Sequence, residues 1–393
     1  MQLKAPVWLA SFFTMFFAVW ACFIPFWSLW LSKEGMNASD IGMLLSFGML
    51  ARFIGGIVIV PRVKQNSQLI PVSRWLLLIS IVAVALMYFK RDLWVLVAVT
   101  LLINALLACL IPLGDSMATR WIHKIKLNYG QVRVWGSASF MVMTMVMGVL
   151  ISNWGEDTII IAVIITSMLT LFITYIPASP ALDDDPDSDQ SNQTETKSTS
   201  FWQLLQRPSI VKFIVVVALI QGSHAAYYAY SALYWKSIGF SESIIGYLWG
   251  AAVIFEMGMM VYGQKLFSRW NPERMLILAA IGCSVRWFIT GMSDDLWLIA
   301  IAQSLHAVSY AVAHLASIKY IAIATKGSET IALQGLYSAL ALNLGTALLT
   351  FICGYFYTDL GNSVFVIMAV VSAASLLLLL IKPKPVQPPA AQA

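Results

Sequence analysis

Apolar residues fill this chain in long stretches separated by short polar turns, and neither one helical face nor a two-residue alternation carries them. A helix needs roughly 20 apolar residues to cross the hydrocarbon core of a bilayer, and backbone groups in lipid must be satisfied within their own segment. Each stretch therefore predicts one membrane-spanning helix. Twelve are expected, near residues 6–31, 41–60, 69–89, 93–118, 131–152, 157–177, 209–235, 243–264, 273–292, 296–318, 330–356 and 361–381. The polar segment from Pro180 to Ser200, with Asp183, Asp184, Asp185 and Asp187, is the one long interruption. It divides six spans from six. The expectation is an all-α integral membrane protein: a six-helix bundle over 1–178, a cytoplasmic polar linker over 179–203, a second bundle over 204–382 and a tail over 383–393. The first stretch is too long for the core of a signal peptide and has no small-residue cleavage site after it, so it reads as a first membrane helix.

Composition agrees. Of the 393 residues 60% are hydrophobic and 11% charged, with mean hydropathy +0.79. A soluble domain carries about 25% charge, so this chain lacks the charge to wet a globular surface, and disordered, collagenous and disulfide-framework classes fall with it. Cys22, Cys109, Cys283 and Cys353 lie singly in apolar stretches without CxxC spacing. They read as small buried hydrophobes, with no disulfide or metal site.

Lys and Arg near the span ends orient the chain, since positive charge stays cytoplasmic. Seventeen of the 24 fall on one side if both termini are cytoplasmic, and four (Lys33, Lys90, Arg91 and Lys236) on the other. The net charge of +5 then reflects membrane orientation, and no nucleic-acid partner is expected.

A shift of 204 residues aligns Leu29, Gly35, Ser39, Ile41, Gly42 and Leu44 with Leu233, Gly239, Ser243, Ile245, Gly246 and Leu248. Identities at equivalent places in the two halves point to duplicated six-helix units, the arrangement in which two bundles rock about a central site. A coincidence between two external loop-helix junctions, both favouring Gly and Ser, is the other reading.

Charge inside a membrane costs about 2.5–3.5 kcal/mol even on insertion scales, so such residues face a cavity or a partner. Here they are Arg52, Asp115, Arg133, His224, Glu256, Arg286, His306 and His314, with Asn104 and Asn343 as neutral companions. Glu256, in an apolar run, is a candidate proton carrier; a static ion pair with Arg286 is the alternative. The 204 shift sets Arg52 against Glu256, and a structural or gating contact is expected for Arg52. His306 and His314 are eight residues apart, close enough in phase to face one cavity, and histidine titrates where a proton-coupled step operates. Asp115 and Arg133 flank a basic loop and read either as solvated ends or as intramembrane charges. His224, Tyr227, Tyr228 and Ser231 share a helical face and suit an aromatic or polyhydroxyl ligand. The stripe Phe16, Trp20, Phe23, Trp27 and Trp30 reads mainly as lipid packing and interfacial belt.

The six-plus-six layout resembles the major facilitator superfamily. The strings His224-Ala-Ala-Tyr-Tyr with Ser-Ala-Leu-Tyr-Trp235, Val132-Arg-Val-Trp-Gly-Ser137 and Val285-Arg-Trp287 resemble the enterobacterial 3-phenylpropionate permease family over nearly the whole chain. A more distant similarity is to galactoside:proton symporters. Asp115 and Gly130-Gln-Val-Arg133-Val-Trp-Gly136 match that family's substrate-gripping pair, and Glu256, Arg286 and His306 match its coupling group. Its second carboxylate in the tenth helix is Ser309 here, and its signature after the second helix is reduced to Gly56-Ile-Val-Ile-Val-Pro61-Arg62-Val-Lys64, without the aspartate.

The resemblance implies proton-coupled uptake of an aromatic carboxylate such as 3-phenylpropionate by alternating access. Arg133 would pair with the carboxylate, Asp115 would orient Arg133, and His224, Tyr227 and Tyr228 would hold the ring. Glu256, Arg286, His306 and His314 would carry the coupling. A galactoside, oligosaccharide or nucleoside:proton symporter is the alternative. No HExxH, GxSxG or P-loop string occurs, so an enzyme is not expected. The proton is the coupling ion, no cofactor is expected, and the partners are a small-molecule substrate and membrane lipid. A monomer in a bacterial inner membrane completes the expectation.

Overall fold

A computed structural model describes residues 2–182 and 201–381; most of the expected linker and all of the expected tail lie outside them. Twelve helices have the length and apolarity to cross a membrane. They are α1 (Ala5–Phe23), α2 (Ala38–Arg62), α3 (Asn66–Phe89), α4 (Leu93–Ile125), α5 (Tyr129–Trp154), α6 (Asp157–Tyr175), α7 (Pro208–Ser237), α8 (Glu242–Leu266), α9 (Pro272–Met292), α10 (Leu296–Ala324), α11 (Glu329–Leu360) and α12 (Ser363–Leu380). A short helix, Trp27–Lys33, continues α1 after a turn. That turn contains Pro25, which can neither donate its backbone N–H nor fit the carbonyl four residues back. Pro112 acts likewise in α4, where regular helix is interrupted at Cys109. α10 and α11 each contain a π-helical stretch, Ala307–Val312 and Tyr337–Leu344. Such stretches collect at functional sites.

The expected repeat is present in the packing. α1 lies on α5, α2 on α4 and α3 on α6; the second half repeats this with α7 on α11, α8 on α10 and α9 on α12. The aligned glycines show why they recur. Gly35 and Gly239 have φ of 90° and 94°, the left-handed region that glycine enters at no steric cost. Gly42 and Gly246 are the points where the halves touch, α2 against α11 and α5 against α8. A Cβ on Gly42 would stand 2.6 Å from Gly354 Cα, and one on Gly246 would stand 2.7 Å from Thr144 O. Coincidence of loop composition does not account for matched backbone conformations and matched crossings.

These crossings close one end of the molecule. Tyr230 Oη donates to Ala38 O at 2.9 Å across the halves, and Lys236 pairs with Glu156 of the first half as well as with Glu242 at 2.8 Å. Glu34, Asp40, Asp92, Glu156, Asp157, Glu242, Asp294, Asp295 and Asp359 all lie at this end. Lys33, Lys90, Arg91 and Lys236 are the basic residues there, and each is paired with a carboxylate.

Burial alone would raise the Glu156 carboxyl, but the hydrogen bond and charge of Lys236 outweigh it and hold the group below the usual carboxylate range. A carboxyl lowered by folding stabilises above its unfolded pKa, and that contribution is lost as pH falls through the lowered value. Lys236→Gln should therefore cost roughly 0.5 kcal/mol at neutral pH, a partly exposed pair being screened. It should also flatten the acid-side fall of the thermal unfolding midpoint, measured in detergent from pH 7 downward.

The aromatic stripe after Phe16 is a correction. Phe16, Trp20, Phe23, Trp27 and Trp30 are all buried inside the protein. α1 is covered by α5 and α6, so these rings meet one another and the interior instead of lipid. The four cysteines are free and buried, as expected.

Candidate functional site

Between the halves lies a cavity of about 400 Å³. Its walls follow the repeat: Phe17 and Gln221, Phe23 and Tyr227, Ile24 and Tyr228, Leu45 and Trp249, Met49 and Val253, and Arg52 and Glu256 all line it, each pair related by 204 residues. The cavity thus straddles the axis that relates the duplicated units. Its lining cations, Arg52 and Arg133, come from the first half, and its lining carboxylate, Glu256, from the second.

Glu256 and Arg286 do not meet directly. His306 Nε2 stands 3.0 Å from Glu256 Oε2, and Arg286 Nη1 stands 2.6 Å from His306 Nδ1. A guanidinium has only donors, so Nδ1 must accept and the ring proton must sit on Nε2, from which it is donated to Glu256. Arg286 is fully buried and also donates to Ser309 Oγ at 3.2 Å and Gln303 Oε1 at 2.9 Å. Its face covers Tyr227, 4.7 Å from the ring centroid, and Trp287, 4.4 Å. A neutral imidazole thus joins a buried cation to a cavity carboxylate.

Tyr227 and Tyr228 line the cavity, and Tyr227 is stacked on Trp249 at 4.2 Å with its hydroxyl buried and unpartnered among the described residues. His224 is placed elsewhere. Regular helix in α7 stops at Gly222 and resumes at Ala225, because Ser223 Oγ turns back to Ile220 O and accepts from Trp287 Nε1. His224 still stands beside Tyr228, with ring centroids 6.0 Å apart, but it is not part of the cavity wall. Its Nδ1 donates to Gln221 O at 3.1 Å, which leaves Nε2 to accept from Ser309 Oγ at 3.4 Å. His224 therefore extends the Arg286 network instead of lining the cavity, and Ser309 occupies the middle of it. Ser231 is buried too, accepting from Trp249 Nε1.

Asp115 and Arg133 form no direct ion pair among the described residues, but they lie within electrostatic range, with Tyr129 interacting with both. Asp115 accepts from Tyr129 Oη at 2.7 Å and is not part of the cavity wall. Arg133 lines the cavity, its guanidinium 4.1 Å over Phe17 and 5.4 Å from Phe13. His314 also lies off the cavity: eight residues separate it from His306 by about 12 Å along the helix, where its Nδ1 meets Tyr337 Oη at 2.9 Å. Arg52 does line the cavity, with Nε donating to Asn104 Oδ1 at 2.6 Å, and Asn343 lines it as well.

Sequence reasoning missed Gln221, Trp249, Tyr310 and Ser137 as wall residues. Two carried a signal: Tyr310 follows His306 by four residues, one helical turn, and Trp249 is the repeat partner of Leu45. Among the described residues no cluster of three potential metal ligands occurs.

The family model described as the MFS_1 like family matches residues 7–369. A probable 3-phenylpropionic acid transporter of Escherichia coli (strain K12) is 38% identical over 384 residues, covering 96% of this chain and 98% of that protein. A maltose permease of Geobacillus stearothermophilus is 28% identical, covering 88% and 85%. The crystal structure of the nucleoside transporter NupG superposes with a TM-score of 0.80 at 12% identity, covering 97% of this chain and all of that one. At that identity the match concerns the fold.

Proposed function

Because the chain belongs to the MFS_1 like family and is a multi-pass membrane transporter of the major facilitator type, we propose that it couples uptake of an aromatic carboxylate, such as 3-phenylpropionate, to proton entry. The observation that carries this reading is one cavity in which cations face a carboxylate across aromatic walls. Arg52 and Arg133 draw the substrate anion to the first half. Tyr227, Trp249 and Phe23 offer faces to its ring. Glu256 takes the proton and His306 passes the change in charge to Arg286, while His224 and Ser309 hold that arginine in place. Asp115 acts from behind the wall through Tyr129. Alternation then follows from rocking of the two units about the glycine crossings. We place the protein in a bacterial inner membrane as a monomer, with both termini cytoplasmic and the proton as coupling ion.

A second reading takes an uncharged polyhydroxyl ligand, a sugar or nucleoside, and rests on the unpartnered Tyr227 hydroxyl and Gln221 carbonyl at the wall. The maltose permease relative is named for such a ligand. Both readings meet one test: pH inside proteoliposomes after external 3-phenylpropionate, galactoside or nucleoside is added, with empty liposomes correcting for passive acid entry. Protein-dependent acidification with the aromatic acid alone is expected. Acidification with the sugar or nucleoside alone overturns the substrate class and leaves the coupling intact.

A further inference from the structure

Arg52 is held by two contacts. Its Nε donates to Asn104 Oδ1 at 2.6 Å, and Asn104 is fixed in turn by Nδ2 donating to Thr100 O at 2.7 Å. Gly48, one turn earlier in α2, leaves room for that amide, since a Cβ there would stand 3.0 Å from Asn104 Nδ2. The guanidinium lies over Trp20, 4.5 Å from the ring centroid. These contacts occupy Nε and one face. Among the described residues Nη1 and Nη2 have no hydrogen-bond or ion-pair partner, and the group lines the cavity.

Among the described residues no carboxylate forms an ion pair with this cation, Glu256 lying on the opposite wall of the cavity. From residue 49 to residue 130 the only acids are Asp92, at the closed end, and Asp115, bonded to Tyr129. A guanidinium inside a membrane bundle without an anion is costly and is retained where it has a use. Arg133 is placed differently. It folds back along α5, with Nη1 3.1 Å from where a Cβ on Gly136 would sit, and Asp115 is within electrostatic range. Recognition of a carboxylate by a two-pronged guanidinium depends on its orientation, and Arg52 is anchored through Nε with Nη1 and Nη2 left for a ligand.

Given the aromatic-carboxylate reading above, on which this rests, we propose that Arg52 is the ligand of the substrate carboxylate, taking its two oxygens through Nη1 and Nη2. Beside it runs a series of rings, Trp20 to Phe23 at 5.9 Å and Phe23 to Trp27 at 4.6 Å, of which Phe23 and Trp27 line the cavity and receive the substrate's ring. Trp27 is tied to the same scaffold by donating to Thr100 Oγ1 at 3.1 Å. The repeat gives the assignment a coupling logic. Arg52 and Glu256 occupy equivalent places in the two units, so one carboxylate and one proton bound together discharge both walls.

The test compares 3-phenylpropionate with its neutral isostere 3-phenylpropionamide by calorimetric titration of the purified transporter. In Arg52→Gln the ratio of acid to amide affinity should fall about 10- to 100-fold, and Arg52→Lys should recover part of it, an ammonium supplying charge without the fork. Asn104→Leu, which removes the positioning group, should lower the same ratio by a smaller factor. Arg52→Gln that keeps the full preference for the acid overturns the assignment. Wild-type protein that binds neither phenyl compound but takes a galactoside or nucleoside overturns the functional reading, and the carboxylate role of Arg52 with it.

Discussion

Glu256→Gln should bind and exchange substrate yet fail to concentrate it. The amide keeps an oxygen to accept the His306 Nε2–H, at the place where Glu256 Oε2 now stands 3.0 Å away. It cannot take up and release a proton. Arg286 keeps Gln303, Ser309 and His306 as acceptors, so the substitution orphans no buried charge and the helices should stay in place. For one proton per substrate, a pH difference supports about tenfold accumulation per unit. The variant should lose all of it in proteoliposomes carrying a pH gradient, while counterflow at equal pH stays near the wild-type rate. Uphill accumulation by Glu256→Gln would place the proton elsewhere.

Gly246→Val should do the opposite, abolishing exchange and accumulation alike while sparing equilibrium binding. The new side chain would begin 2.7 Å from Thr144 O and 3.1 Å from Gly148 Cα, so α5 and α8 could no longer close together. Overpacking costs about 1–3 kcal/mol, and roughly 3 kcal/mol against the closed arrangement lowers its population about a hundredfold. Counterflow should fall by a similar factor. Cys353, buried beside the Gly42–Gly354 crossing, reports the same event, and its labelling by a thiol reagent should quicken. Wild-type counterflow in Gly246→Val would show that this crossing does not have to close.

The twelve helices and their duplication were legible because the signals are local: apolar length for the spans, and matched glycines where only glycine fits. The repeat carried further than expected, since it pairs Arg52 with Glu256 and Leu45 with Trp249 across one cavity. Helical phase set His224 beside Tyr228 correctly, but it gives no sign that Gln221 and Ser309 engage both ring nitrogens away from the cavity. The partner of Asp115, Tyr129, was not legible because it lies on the next helix, where spacing gives no guidance. The contact that fixes Arg52 was hidden for the same reason: its partner, Asn104, is 52 positions away. The stripe from Phe16 to Trp30 is sequence-ambiguous in principle, because lipid and a protein interior are equally apolar.

The closed end also sets conditions for whatever arrives there. Nine carboxylates against four basic side chains give that surface an excess of negative charge. When that end opens, hydrogen ions are enriched at its mouth and a carboxylate substrate is diluted, over a range of about 8 Å at physiological ionic strength. If transport couples an anion to a proton as proposed, salt should help the one and hinder the other, because the same surface acts on them as opposite fields. On the proposed reading, an acid would cross this zone more readily with its own neutralising proton than as a bare anion, and attraction for the anion would begin only inside, at Arg52 and Arg133.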